Sequence, residues 1–425
     1  LSREYSKAKE KGDLLLKKEP GNVDAHLLLG NALAGLKKDS DAIREIKKAI
    51  ELDPKRITSY LNLGGIYITR KNLGEAEKVY REAISIDAKS IQARLALANL
   101  HYLGKDMTAA EEGYKEAISI DPKNLSLHVT LGRFYSSQKR YKEAEAEYIE
   151  AGGVDPKNPL PHIILGDLYI FQKMDDEAVK AYQKGDEIKP DDLTAKKRLA
   201  SFYLTKTKID EASKYVDKIL EKNANDQEGH SLKGRIFLAK LKVSEAISEF
   251  QKVLKDEPGR FDVRYFLAQA HLLAGDLQLS KNELTEVLKV APNSTDARAS
   301  LAEVYFRLHS YDEAVSEAKK VIAIQPDNQK AKRVLGDAYV GKRDINSALS
   351  QYKELVRISP NDPLGHFRLG TIYSAQKKYS DAMSEFEKAI SLNPQLIQPL
   401  AHIMGILIEQ GGADKAIERA NKQLT

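Results

Sequence analysis

ITSYLNLGGIYITRKNLGEAEKVYREAISIDAKS, residues 57–90, is the stretch whose reading decides the fold of this chain. Tyr60, Leu63, Gly64 and Tyr67 stand three, one and three positions apart, which places them on one face of an α-helix. A polar break follows at Arg70, Lys71 and Asn72. Ala76, Tyr80, Ala83 and Ile84 then recur at helical spacing, so a second amphipathic helix follows the first. The stretch predicts two helices joined by a tight turn.

The same 34 residues of pattern run from end to end of the 425-residue chain. Pro20, Pro54, Pro122, Pro156, Pro190, Pro258, Pro292, Pro326, Pro360 and Pro394 share one rung, where Ala88 and Ala224 replace proline. Proline lacks an N–H and has a fixed φ, so it is expected to stop the second helix. A second ladder holds Ala42, Ala76, Ala110, Ala144 and their equivalents to Ala416, with Ser280 as its exception. A period of this kind marks stacked supersecondary units rather than one compact domain. The expected fold is therefore all-α. Residues 1–22 read as the second helix of a truncated unit, 23–396 as eleven complete units, and 397–425 as an incomplete last one. Leu1 falls inside a hairpin, so the chain is expected to be a fragment or a processed form.

Bulk composition agrees. Charged residues make up 30% and hydrophobic ones 42% of the chain, the balance expected when each helix buries one stripe. No run approaches the roughly 18 apolar residues that a bilayer span needs, so no transmembrane segment is expected. The net charge of +5 over this length calls for no nucleic acid. With no cysteine, disulfides and thiolate metal sites are excluded.

Gly30, Gly64, Gly132, Gly166, Gly234, Gly336 and Gly370 share one position on the first helix. Glycine inside a helix costs up to about 1 kcal/mol against alanine, so close packing must compensate. A later position of the second helix reads Ala49, Ala83, Ala117, Ala151 and Gly185, then Ile219, Val253, Val287, Val321 and Leu355, before Ala389. That switch to bulk predicts a change of curvature and a sub-block boundary near residue 190.

Leu63, Gly64, Tyr67, Ala76, Tyr80, Ala83 and the proline rung resemble the tetratricopeptide repeat pattern. The set recurs as Leu131, Gly132, Tyr135, Ala144, Tyr148, Ala151 and Pro156, and as Leu369, Gly370, Tyr373, Ala382, Phe386, Ala389 and Pro394. The resemblance covers essentially the whole chain. It implies a right-handed α-solenoid of stacked hairpins and a non-catalytic scaffold for protein partners. A narrower stretch, Asp24 to Pro54, resembles repeat proteins of bacterial exopolysaccharide and PEP-CTERM/exosortase gene clusters. It implies an envelope export or assembly adaptor in the periplasm or at the outer membrane, with the cytoplasm as alternative. The rival reading is the regulatory superhelix of a larger enzyme, such as a glycosyltransferase.

Chemistry is sparse. The chain contains no GxGxxG, GxxxxGK[ST], HExxH or GxSxG, so no phosphate loop, zinc helix or nucleophile elbow is expected, and no cofactor. His26, His128, His162, His230 and His366 share the position of Tyr60. Equivalent positions lie roughly 10 Å apart from helix packing distances, too far to share an ion. They are expected to act as aromatic-like packing residues. Lys37, Lys71, Lys105, Lys139, Lys173 and Lys377 end the first helices, where the macrodipole favours a cation.

In the resembled family the first helices line a concave wall, from the face that holds Leu61, Asn62, Gly65 and Ile68 here. Applied along the chain, that rule yields Ile163, Ile170, Phe171, Lys197, Leu204, Arg235, Leu238, Tyr265, Leu272 and Phe306 as candidate partner-binding residues. The apolar members suit an extended peptide or an amphipathic helix. Residues 193–242 carry twelve Lys/Arg against six Asp/Glu, so an anionic partner segment is expected there.

Overall fold

The computed structural model describes residues 2–424. Among them are 25 α-helices and no strand, from Ser2–Lys18 to Ala413–Leu424. By its internal contacts the chain divides into two units, Leu1–Leu199 and Ala200–Thr425. Each is a stack of antiparallel helix hairpins, an α-solenoid. Ile57–Thr69 and Leu73–Ile86 form the hairpin read from the opening stretch.

The turn inside each hairpin comes from backbone geometry. Lys37, Lys71, Lys105, Lys139, Lys173, Thr207, Leu241, His309, Arg343 and Lys377 all have φ between 56° and 65°, and Gly275 and Gly411 take the same rung. Lys71 N–H donates to Ile68 O and Asn72 N–H to Tyr67 O at 2.8 and 2.9 Å, the paired closure of a helix ending in one left-handed residue. The recurrent lysines are therefore left-handed caps, which an expectation based on the macrodipole alone missed.

The proline rung is likewise a turn. Asn124 N–H donates to Asp121 O at 3.1 Å, with Pro122 at the second position, where its φ is already suited. Ala88 and Ala224 occupy the same place, in turns closed by Ser90 N–H to Asp87 O and Asp226 N–H to Asn223 O.

Packing explains both small-residue ladders. Every rung from Ala42 to Ala416 is buried, and Ser280 satisfies its hydroxyl by donating to Ala268 O at 2.8 Å. Over the first-helix glycines lies the side chain found sixteen residues later on the second helix. A Cβ on Gly64 would stand 2.2 Å from the Tyr80 ring, and one on Gly132 2.4 Å from Tyr148. Phe250 and Phe386 cover Gly234 and Gly370 in the same way. These glycines thus make room for a ring, and Gly30 does so for the Ile46 side chain. Where Ala98 keeps its methyl under Tyr114, the missing side chain has moved to Gly113, whose Cβ would meet that of Ala98 at 2.9 Å.

Four of the five bulky residues from Ile219 to Leu355 meet a small one on the next hairpin. Gly229 and Gly365 stand against Ile219 and Leu355, while Ala297 and Ala331 share core clusters with Val287 and Val321. At these contacts volume gained on one hairpin is given up on the next, whereas Val253 shares its cluster with the equally bulky Val263. Within each unit, first helices approach one another: Val23–Gly35 touches Ile57–Thr69, and Thr295–Arg307 touches Gln329–Gly341. No pair of second helices comes as close among the described residues. The first helices therefore form a wall, and their outer faces line a groove.

Candidate functional site

An apolar part of that wall lies in the second unit, on the first helices Thr295–Arg307, Gln329–Gly341, Pro363–Ala375 and Ile397–Glu409. Phe306, Val340, Leu364, Phe367, Ala375 and Leu396 line an apolar cleft of about 450 Å³. Val340 and Leu364 are exposed, whereas Phe367 is braced 6.0 Å from the Phe386 ring and 5.5 Å from that of His402. These large apolar side chains are held open to solvent by helices whose other faces are committed to the core.

Its floor is polar. Tyr352 reaches across Gly336 from the second helix and donates its hydroxyl to Asp337 at 2.6 Å. Arg368 Nε donates to the same carboxylate at 2.8 Å. Burial opposes the charge on Arg368, but Asp337 outweighs it and holds the guanidinium above its usual pKa. Burial and then Asp337 push the Tyr352 phenol well up, so it stays protonated. The arrangement offers a fixed, satisfied polar floor under an apolar mouth, a surface for recognition.

Of the residues expected from the sequence, Phe306 lines this cleft. Leu204 and Leu238 are half-buried, and Tyr265 packs edge-on to Phe266 with centroids 5.5 Å apart. In the first unit Ile170 is exposed and Phe171 is 70% exposed, its ring 5.7 Å from Tyr141. Ile163 and Leu272 are buried in the core, because their helix turns inward at those points, and they present no surface to a partner. Arg235 is half-buried. Its guanidinium lies over the Phe266 ring, 4.9 Å from the centroid, and burial holds its pKa below the arginine norm.

The basic segment is similarly engaged. Lys196 pairs with Asp186, Arg198 with Asp167 at 3.1 Å, Lys233 with Glu249 at 3.9 Å and Lys240 with Asp210 at 3.3 Å. Lys197 is half-buried.

Val340, Leu364 and Phe367 escaped the sequence reading, although they occupy the positions of Ile68, Thr58 and Leu61. The groove rule extended two hairpins further would have found Val340 and Phe367, while Leu364 stands one turn earlier on its helix, outside the rule.

The histidine row also has a different role from the one expected. His128 Nδ1 lies 2.8 Å from Glu147 Oε2, on its own second helix, and Nε2 lies 3.0 Å from Pro122 O, in the preceding turn. His26, His230 and His366 repeat both bonds. Arg264 and Arg298 do so with guanidinium groups, while Tyr60 makes the carbonyl half alone at 3.0 Å. These residues are bridges across the repeat junction. His162 has Ala181 where the others have Glu, and burial followed by Lys184 pushes its pKa down. Among the described residues no three His, Asp or Glu converge as a metal site, and no helix is long and apolar enough to cross a membrane.

Stacked hairpins with a groove along their first helices define an α-solenoid interaction scaffold. Models described as tetratricopeptide repeat match residues 3–57, 57–90, 105–168, 172–236, 238–304, 295–328 and 363–396. The chain belongs to the tetratricopeptide repeat family. Among solved structures, the APC/C hetero-tetramer Cut9–Hcn1 aligns at 13% identity and TM-score 0.54, over 95% of this chain and 93% of that one. Yeast Tom70 aligns at 14% identity and TM-score 0.42, over 95% and 99%. A tetratricopeptide repeat protein from Parabacteroides merdae ATCC 43184 aligns at 17% and TM-score 0.48, over 59% and 98%. At 13% identity the likeness to Cut9–Hcn1 speaks for the fold alone. No curated protein matches the chain.

Proposed function

We propose that this chain is a non-catalytic adaptor that holds an extended segment of a protein partner along the first helices of its second unit. A large apolar side chain of that segment fills the cleft between Phe306, Val340, Leu364 and Phe367. The single observation behind this reading is the cleft itself, an open apolar pocket built on rigid helices. The basic stretch 193–242 is a weaker candidate, because Lys196, Arg198, Lys233 and Lys240 already have carboxylate partners and Arg235 is packed on a ring.

A random decapeptide display library panned on the full chain tests the reading. Selected peptides should lose at least about tenfold in affinity to Leu364→Asp, since an exposed position becomes a charge inside an apolar contact. Unchanged affinity sinks the groove assignment, and loss with Phe171→Asp instead moves the site to the first unit.

The likeness of Asp24–Pro54 to export-cluster repeats supports an envelope adaptor. The competing reading makes the chain the regulatory part of a larger enzyme. The gene separates them: an upstream lipobox cysteine favours the first, and a downstream catalytic α/β domain the second.

A further inference from the structure

Beside the cleft, on Thr295–Arg307 and Gln329–Gly341, three cations converge on one acid. Arg307 lies 2.9 Å from Glu303, Lys330 3.0 Å and Arg333 3.9 Å. The Glu303 side chain is only 14% exposed, whereas Arg307, Lys330 and Arg333 keep 45%, 34% and 32% of theirs. The acid is the buried hub and the cations surround it. Burial opposes its charge, but Lys330, Arg333 and Arg307 outweigh this and hold Glu303 below the usual carboxylate pKa. It is therefore ionised at neutral pH and supplies one negative charge to three positive ones.

The other charges nearby do not close the gap. Asp337 is engaged by Arg368, and Asp296, on the helix of Glu303, makes no ion pair with the three. Lys330 finds its remaining partner in Ser300 Oγ at 3.1 Å, a neutral group. Positive charge is left over on the wall, and Arg307 is the neighbour in sequence of Phe306 in the cleft.

We propose that this cluster receives an aspartate or glutamate of the same segment whose apolar residue fills the cleft. This rests on the groove reading and adds the chemistry and spacing of the partner. Arg307 and Arg333 offer planar forks suited to a carboxylate, and a second carboxylate halves the cluster's excess of two positive charges. Lys330 and Arg333 are the equivalents, one hairpin earlier, of Leu364 and Phe367. Neighbouring hairpins are about 10 Å apart from helix packing distances, which an extended chain covers in about three residues at roughly 3.3 Å each. The ligand class is a short extended peptide with an acidic residue about three positions from a large apolar one. The order along the partner depends on its direction in the groove.

The display selection on the full chain reads this directly. Selected peptides should carry Asp or Glu at a constant spacing from an aromatic or aliphatic residue. Replacing that acid by Asn or Gln in a synthetic peptide should weaken binding about tenfold, the range of a charge-assisted contact. Affinity for the acidic peptide should fall as salt rises past physiological strength, where the Debye length is about 8 Å. Lys330→Gln with Arg333→Gln should bind the acidic and neutralised peptides alike, and the peptide-side comparison stands even if that variant folds poorly. Selected peptides without acidic enrichment, or equal binding of the two peptides to the unaltered chain, overturn the proposal. Loss with Leu364→Asp but not with Lys330→Gln/Arg333→Gln sinks this inference and keeps the groove. Loss with neither sinks both, and loss with the cation variant alone breaks the link between acid and anchor.

Discussion

Gly132→Ala offers the sharpest test of how these hairpins close. The new methyl would stand 2.4 and 2.7 Å from two carbons of the Tyr148 ring. That ring is buried, and its hydroxyl lies 3.3 Å from Ser136 Oγ, so it has little room to swing. Overpacking of this kind costs about 1–3 kcal/mol. Against it stands the helix-propensity gain of alanine over glycine, about 1 kcal/mol. Because two ring carbons are struck, the upper part of the range applies, and the net loss should be about 1–2 kcal/mol. In a Tyr148→Ala background the clash disappears and the propensity gain remains. The same substitution should then stabilise by about 0.5–1 kcal/mol, a coupling of roughly 2–3 kcal/mol between the two sites. A repeat array departs from two-state unfolding, so a global midpoint blurs the effect. Native-state hydrogen exchange of amides in Leu125–Ser137 reads it locally, with Pro363–Ala375 as internal control. Equal costs in both backgrounds, or stabilisation in the unaltered chain, would refute the idea that the ring dictates the glycine.

Glu111 accepts hydrogen bonds from Arg140, Lys115 and Tyr135, and Arg140 leads in depressing its carboxyl from 4.5 to about 2. A depressed folded pKa stabilises fully above the ordinary value and drains away as pH falls through the folded one. Urea midpoints should therefore decline between about pH 4.5 and 2 more steeply for the native chain than for Glu111→Gln; equal slopes would discount this network. Lys139 has φ of 60°, a conformation costing a side chain about 1–2 kcal/mol. Lys139→Gly relieves that cost while loosening the unfolded chain by about 0.4–1 kcal/mol, so exchange protection around the turn should rise by up to about 1.6 kcal/mol, and a fall would show that the lysine stabilises its cap by other means.

The hairpins were readable because their punctuation is local. Proline at a turn, alanine at a crossing and apolar spacing on one helix need no knowledge of neighbours. Even the pairing of Gly64 with Tyr80, Gly132 with Tyr148 and Gly370 with Phe386 stands in the primary structure at a separation of sixteen, although only the glycine half was read. Bonds that span hairpins were not legible. Glu303 meets Lys330 27 residues away, and Arg235 meets Phe266 31 away, across distances that depend on how hairpins stack. A cation on a helix looks the same in sequence whether it faces water or a ring. Phe306 is legible because groove positions repeat with the period, and Val340 and Phe367 lie at those positions in the following units, whereas Leu364, Ala375 and Leu396 do not.

The junction bridge has a consequence for how such a chain can grow. The carboxylate that holds His128 or Arg298 belongs to the same hairpin, while the other acceptor is a backbone carbonyl that any preceding turn supplies. A duplicated 34-residue cassette therefore travels with its own acid and finds the remaining acceptor wherever it lands. At this one position copying a hairpin leaves no side chain without its acceptors, and histidine, arginine or tyrosine can stand there without a change in the neighbouring hairpin. The bridge itself therefore asks for no compensating change in the neighbouring units when an in-frame copy lengthens the array.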